Sequence, residues 1–209
     1  MPIKISRTTS LRDIANALRN KAFTEEELIF PEGFINILES IPGVESILDK
    51  SISTFKSDTL TTVDKYAFSN CKNLCSVIIP NVASIEQNAF QDCTSLESVI
   101  LPAATYMNGN AFLRCTNLKY IEFGSKLDIP MGAFSNCNSL EALVLRSPEV
   151  CTLKATSAFT NSGIANGTGY IYVPLVLLQY YMQETNWITY ANQFRVIEGS
   201  EYEITGGTE

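Results

Sequence analysis

The 209-residue sequence contains no histidine. That absence rules out Ser-His-Asp and Cys-His nucleophilic catalysis and removes the commonest metal ligand. There is also no glycine-rich phosphate loop of the GxxxxGK[ST] type. No apolar run approaches the ~20 residues a membrane-spanning helix needs, so membrane insertion is not expected. The first residues, "MPIKISRTTSLRDIANAL", lack the apolar segment of a secretory signal, and the expectation is a chain made and folded in a cytoplasm. Positive charge is scarce: 15 lysines and arginines stand against 22 acidic residues, a net charge of −7. Phosphate backbones are poor partners for such a chain, and nucleic-acid binding is not expected. With 45% hydrophobic residues, the composition is that of a globular protein rather than a disordered one.

Six cysteines are present. Their placement carries more information than their number. The phrase "NAFQDCTSLESVILP" has a copy upstream, "YAFSNCKNLCSVIIP", and another downstream, "NAFLRCTNLKYIEFG". Ala67-Phe68, Ala89-Phe90, Ala111-Phe112 and Ala133-Phe134 follow one another at 22-residue intervals, and Ala158-Phe159 comes after 25. Four residues beyond each alanine stand Cys71, Cys93, Cys115 and Cys137, with Ser162 in the fifth copy. Apolar columns follow: Leu74, Leu96, Leu118 and Leu140; Val77, Val99, Ile121 and Leu143; Ile79, Leu101, Phe123 and Leu145. Val63, Ile85, Met107 and Ile129 stand four residues before the first four alanines.

A period between about 20 and 50 residues marks a repeat array, in which each unit buries its apolar side against its neighbours. The alternation ending each unit predicts a short strand, with Val77 and Ile79 inward and Ser76 and Ile78 outward. Strands from successive coils then pair as a parallel sheet. A turn with a short helical or irregular segment is expected on the opposite side. Three readings of the cysteine column are open: packing, disulfides between neighbouring rungs, or metal binding. Packing suits a small apolar side chain in a tight interior, and Ser162 in the same column agrees with it. Metal needs four ligands converging on one point, whereas the period lays the sulfurs in a row.

The units "AFSNCKNLCSVIIPNVASIEQ" and their copies resemble the BspA-like leucine-rich repeats, over about residues 51–174, after an irregular start near "SISTFKSDTLTTV". Gly124 and Arg146 stand where Pro80 and Pro102 end earlier units, and "NSGIANGTGYIYVP" carries extra residues, departures that suggest the array is closing. The resemblance implies an α/β repeat fold: a right-handed leucine-rich-repeat solenoid with a short parallel sheet, flanked by small helical caps. It implies a binding role without enzymatic activity. The expected division is a helical N-terminal cap or attachment segment at 1–48, repeats at 49–174, and a C-terminal cap and tail at 175–209.

Leu11, Ile14 and Leu18 fall on one face of an expected N-terminal helix behind Ser10 as N-cap, and Phe34 belongs to the apolar side of a second. These helices either cap the first coil or attach the protein to something else. "SLRDIANALRNK" with "FPEGFINILESI" resembles the N-terminal segment of phage and prophage tail-associated proteins, which implies attachment. After Pro174, "LVLLQYYMQETNWITYANQF" reads as a cap over the last coil, and the residues from Glu201 onward as a frayed tail.

Asp92 and Glu97 are a carboxylate pair with acid/base capacity, but acidic residues on turns more simply keep a surface soluble. No catalytic residue, metal site or cofactor is expected. The outward strand positions form the candidate binding face: Ser76, Ile78, Ser98, Ile100, Tyr120, Glu122, Ala142 and Val144. The apolar row Ile78, Ile100, Val144 marks a contact surface, or reflects strand propensity, or is covered by another part of the chain. Together the two resemblances imply a tail-associated virion component whose partners are virion structural proteins, a host-surface protein or a glycan, and which is a possible homo-oligomer. A bacterial cell-surface or secreted adhesin is the alternative. A carboxylate-dependent glycan hydrolase is a third reading.

Overall fold

The computed structural model describes residues 3–4, 28–29 and 53–203. The expected helices within 1–48, with Leu11, Ile14, Leu18 and Phe34, lie outside the described residues. Strands β1 (Ile3–Lys4) and β2 (Leu28–Ile29) pair in parallel. From residue 53 each coil supplies one strand and then a shorter one: β3 (Thr54–Lys56) and β4 (Thr62–Val63), then β5 (Ser76–Ile78) and β6 (Ser84–Ile85). Next come β7 (Ser98–Leu101) and β8 (Tyr106–Met107), β9 (Tyr120–Phe123) and β10 (Asp128–Ile129), and β11 (Ala142–Leu145) and β12 (Thr152–Leu153). The last two are β13 (Tyr170–Val173) and β14 (Phe194–Val196).

The first strand of every coil joins one parallel sheet of seven strands, ordered β14-β13-β11-β9-β7-β5-β3. The second strands form two small parallel sheets, β4-β6-β8 and β10-β12. The chain is therefore a solenoid. Register follows the sequence columns: Val77 pairs with Val99, Val99 with Ile121, Ile121 with Leu143, and Leu143 with Ile171. The irregular start is a full coil, since β3 pairs with β5 and Phe55 stands beside Val77. Opposite the main sheet, the expected helical or irregular segment is a two-residue strand followed by turns.

Between the two strand layers the repeated residues stack in files. Phe68, Phe90, Phe112, Phe134 and Phe159 form one column of near-parallel rings with centroids 5.0 to 5.7 Å apart. Each alanine beside them is small enough to let neighbouring backbones meet: the Phe90 amide donates to the Ala111 carbonyl at 2.8 Å and Phe112 to Ala133 at 2.9 Å. Cysteines form the adjacent file, and they form no disulfide. Cys93, Cys115 and Cys137 are fully buried, and each Sγ reaches the phenylalanine carbonyl one coil back, at 2.9, 3.1 and 3.1 Å. A weak donor on a small apolar side chain fits that position. Ser162, buried in the same column, retains a small donor there. Cys71, at the first position, is only half-buried.

Two backbone positions in each of the first four coils, and one in the fifth, are left-handed. One column holds Tyr66, Asn88, Asn110 and Gly132, and the other Asn70, Asp92, Arg114, Asn136 and Asn161, all with φ between +55° and +71°. Asn, Asp and Gly tolerate this region best, which accounts for the residue types just before the alanine and just before the cysteine.

Burial pushes the Cys115 thiol well above its ordinary range and raises that of Cys151. Thiolate is the reactive species, so both are inert while folded. Alkylation with iodoacetamide at neutral pH should modify the half-buried Cys75 first and Cys93, Cys115, Cys137 and Cys151 only on unfolding. Peptide mass mapping against time would show this, and early modification of Cys115 would contradict the stacked file.

Candidate functional site

Strand pleating sends alternate residues of the seven-stranded sheet outward, and parallel register aligns them in two columns. One runs Thr54, Ser76, Ser98, Tyr120, Ala142, Tyr170. The other runs Lys56, Ile78, Ile100, Glu122, Val144, Tyr172, Arg195. All eight candidate residues thus share one face. That face has two different halves.

Over β3, β5 and β7 it is open among the described residues. Thr54 and Lys56 are exposed, and Ser76, Ile78, Ser98 and Ile100 are half-buried. The Ser98 hydroxyl donates to Ser76 Oγ at 3.1 Å, so the serine column is internally linked beside the two isoleucines.

Over β9, β11 and β13 it is covered. Ala142 and Val144, expected outward and accessible, are 1% and 0% exposed. They point to the predicted side of the sheet, but Ile197 packs on them, with Tyr120, Tyr172 and Tyr202 around it. Of the readings left open for the apolar row, cover by another part of the chain holds at Val144: the chain folds back over its own sheet. Tyr202, expected in a frayed tail, is half-buried against Tyr120, with ring centroids 5.4 Å apart, and against Tyr172, at 4.6 Å.

Polar groups under this cover are paired. The Tyr120 hydroxyl donates to the Glu122 carboxylate. Arg146 Nε lies 2.8 Å from Glu122 Oε1 as an ion pair, without the alignment of a directed hydrogen bond. Its Nη2 donates to the Tyr202 carbonyl at 2.8 Å. Burial, followed by the Glu122 contact, raises the Tyr120 hydroxyl far above the usual phenol range, while burial and Glu201 push Tyr202 up to about 12. Both phenols are neutral donors at any physiological pH. The Arg195 guanidinium lies 4.1 Å from the Tyr170 ring centroid.

Asp92 and Glu97 do not form an acid/base couple. Asp92 takes two hydrogen bonds from Arg114, at 2.5 and 2.7 Å, and Glu97 pairs with Lys119 at 3.3 Å. Lys126 with Glu149 and Lys154 with Asp128 likewise join neighbouring coils. No cluster of three metal-ligating side chains occurs among the described residues. The Arg114 guanidinium holds the Asp92 carboxyl below its ordinary value. A depressed carboxyl contributes stability above its unfolded value, near pH 4, and loses it as pH falls through the folded one. Arg114→Gln should cost about 0.2–1 kcal/mol at pH 7 and flatten the acid limb of the stability profile. Urea midpoints measured from pH 2.5 to 7 would test this.

Coils of 22 residues thus stack with leucine, cysteine and phenylalanine files inward. The BspA type leucine rich repeat region matches residues 48–165, in six copies. The chain belongs to the BspA-type leucine-rich repeat family. Six copies include the irregular first coil. No curated protein matches this BspA-type chain. Among solved structures it is similar to a leucine rich cell surface protein from Faecalibacterium prausnitzii. The two share 22% identity, with a TM-score of 0.42, over 72% of this chain and 49% of that one. The BspA-type chain spans about half the length of that protein.

Several residues of the face lie outside the candidate set. Thr54 and Lys56 belong to the irregular coil, where no "AF" pair or cysteine marks the strand. Tyr170, Tyr172 and Arg195 extend the same columns, and the alternation in "YIYV" was a usable signal for the first two. Nothing in the sequence pattern tied Tyr202 to Tyr120.

Proposed function

We propose that this BspA-type repeat protein is a non-catalytic adhesin of the bacterial cell surface, binding a host-surface protein or glycan through the outward face of its seven-stranded sheet. The open half of the face carries recognition through Ser76, Ile78, Ser98 and Ile100, flanked by Thr54 and Lys56, with Glu122 at its border. Tyr120, Ala142 and Val144 belong to the covered half. Residues 1–48 attach the solenoid, 49–174 present the face, and 175–209 close it. The observation that carries the reading is the uncovered pair Ile78 and Ile100 on a rigid sheet, beside linked serines, where the other half of the same apolar row has been covered. An apolar strip left open on a surface whose other strip is buried marks a contact site.

Fluorescently labelled full-length protein should bind members of an array of extracellular-matrix proteins and glycans. Ile78→Glu/Ile100→Glu should weaken that binding by roughly tenfold or more, as central contacts do, with an unchanged circular dichroism spectrum. Equal binding by the double variant would remove the face from the mechanism. Immunogold microscopy of the source separates the locations: label on the envelope supports the surface protein. The virion component rests on the N-terminal resemblance taken together with the repeats, and label on phage particles would favour it.

A further inference from the structure

Beyond Val173 the main sheet continues through β14, and its last ladder bond runs from the Ile197 amide to the Val173 carbonyl at 3.0 Å. The chain then enters a self-closed turn. The Ser200 amide and hydroxyl both donate to the Ile197 carbonyl, at 3.0 and 2.6 Å. The Tyr202 amide donates to Ser200 Oγ at 3.1 Å, and the Gly199 amide to Glu203 Oε2 at 2.9 Å. Gly199 stands at φ +78°, a conformation open to glycine at no steric cost. Among the described residues, few bonds hold this turn to the solenoid: Arg146 Nη2 to the Tyr202 carbonyl, the Leu175 amide to Glu198 Oε2 at 2.9 Å, and the two ring contacts of Tyr202. A compact turn on so few attachments can lift as a unit without unravelling a coil.

The seat beneath Tyr202 is built from separate coils. Tyr120 offers a ring face, at an interplanar angle of 25°, and Tyr172 an edge, at 68°. Ile197, seated on Ala142 and Val144, completes the apolar floor, and Arg146 is held by Glu122 with Nη2 aimed at a main-chain carbonyl. Ring face, ring edge and a guanidinium that donates to a carbonyl together match one tyrosine residue with its own peptide group. Of the two arginines at this part of the face, Arg146 meets the segment "EGSEYE" at the Tyr202 carbonyl and Arg195 lies over the Tyr170 ring, while the segment's Glu198 carboxylate accepts the Leu175 amide of the solenoid.

We propose that residues 198–203 occupy, in cis, a recognition site for an exposed tyrosine flanked by acidic residues on a partner protein, which binds by displacing them. The chain's own segment is a built-in competitor. Its release uncovers the rings of Tyr120 and Tyr172, while Ile197 stays on Ala142 and Val144 through its ladder bond to Val173. This rests on the sheet face being the recognition surface.

The test uses the full chain and a capped synthetic peptide of sequence EGSEYE, titrated by fluorescence anisotropy. Tyr202→Ala vacates the seat and should bind the peptide roughly tenfold or more tightly than the unmodified protein, since an internal competitor lowers apparent affinity by the fraction of sites left open. Adding Tyr120→Ala should abolish that binding, and so should replacing the peptide's tyrosine with alanine. The single tryptophan, Trp187, reports in each variant whether the adjacent cap is still folded. No binding to Tyr202→Ala at millimolar peptide, equal binding to both proteins, or indifference to Tyr120→Ala would each overturn the proposal. Neither variant touches Ile78 or Ile100, so failure here leaves the open-half reading standing if Ile78→Glu/Ile100→Glu still impairs array binding.

Discussion

Replacing Trp187 with alanine should destabilise the protein by about 3–5 kcal/mol, the cost of truncating a fully buried large aromatic. Trp187 has no exposed surface and packs against Tyr181, Phe159 and Phe194, with centroids 5.6 to 6.0 Å away. Its second role is specific to the end of a solenoid. In the preceding coil the carbonyls of Leu127 and Ile129 accept amides of the next coil, Thr152 at 3.2 Å and Lys154 at 2.9 Å. Among the described residues no such amides follow the last coil. Trp187 Nε1 donates to the Cys151 carbonyl at 2.7 Å, and Asn186 Nδ2 to that of Leu153 at 2.8 Å. Register pairs Thr152 with Asp128 and Leu153 with Ile129, so these are the equivalent carbonyls. Two neighbouring side chains thus stand in for the missing coil.

Alanine at 187 removes both the cover and a donor to a buried carbonyl, and an orphaned acceptor adds to the cost. Phenylalanine restores most of the packing but not the hydrogen bond, so Trp187→Phe should fall between alanine and the natural residue. Urea denaturation followed by circular dichroism would measure all three. A loss below about 1 kcal/mol for alanine would mean that the cap contributes little to the array.

Phe112→Ala in the middle of the ring file should be nearly as costly, at about 3–5 kcal/mol. Phe112 is fully buried, with Phe90 at 5.0 Å and Phe134 at 5.7 Å on either side. Its backbone is fixed by the amide bond to Ala133 and by the Cys137 thiol on its carbonyl, at 3.1 Å. The coil cannot close over the vacated volume without breaking those contacts, so a cavity remains. For a chain of this size the loss corresponds to a fall in melting temperature of about 6–20 °C. Differential scanning calorimetry would record it, and Phe112→Leu, which refills part of the space, should recover a share. A melting temperature unchanged by alanine would contradict a continuous core.

The period accounts for most of the fold. Residues one unit apart become neighbours whenever coils stack, so Cys93 over Cys115 over Cys137, and Val77 beside Val99 beside Ile121, could be read from the letters. The alternation gave the side of the sheet correctly for all eight candidate residues. The Asn and Asp residues before the alanine and cysteine were equally periodic, and their left-handed φ values explain them, yet a reading built on apolar columns passes over polar ones. The irregular first coil was harder to see because Ile52, Phe55, Leu60 and Val63 keep the apolar pattern there without an "AF" pair or a cysteine.

Stacked files, strand alternation and the absence of histidine chemistry followed from local sequence alone, because a repeat encodes its own neighbours at a constant separation. The burial of Ala142 and Val144, the seat of Tyr202, and the use of Asn186 and Trp187 as substitutes for a further coil did not. Each brings together residues that occur once and lie outside the period, from Tyr120 to Tyr202 and from Cys151 to Trp187. Where a single segment lands depends on which surface the finished stack offers it, and that surface exists only after the coils have assembled.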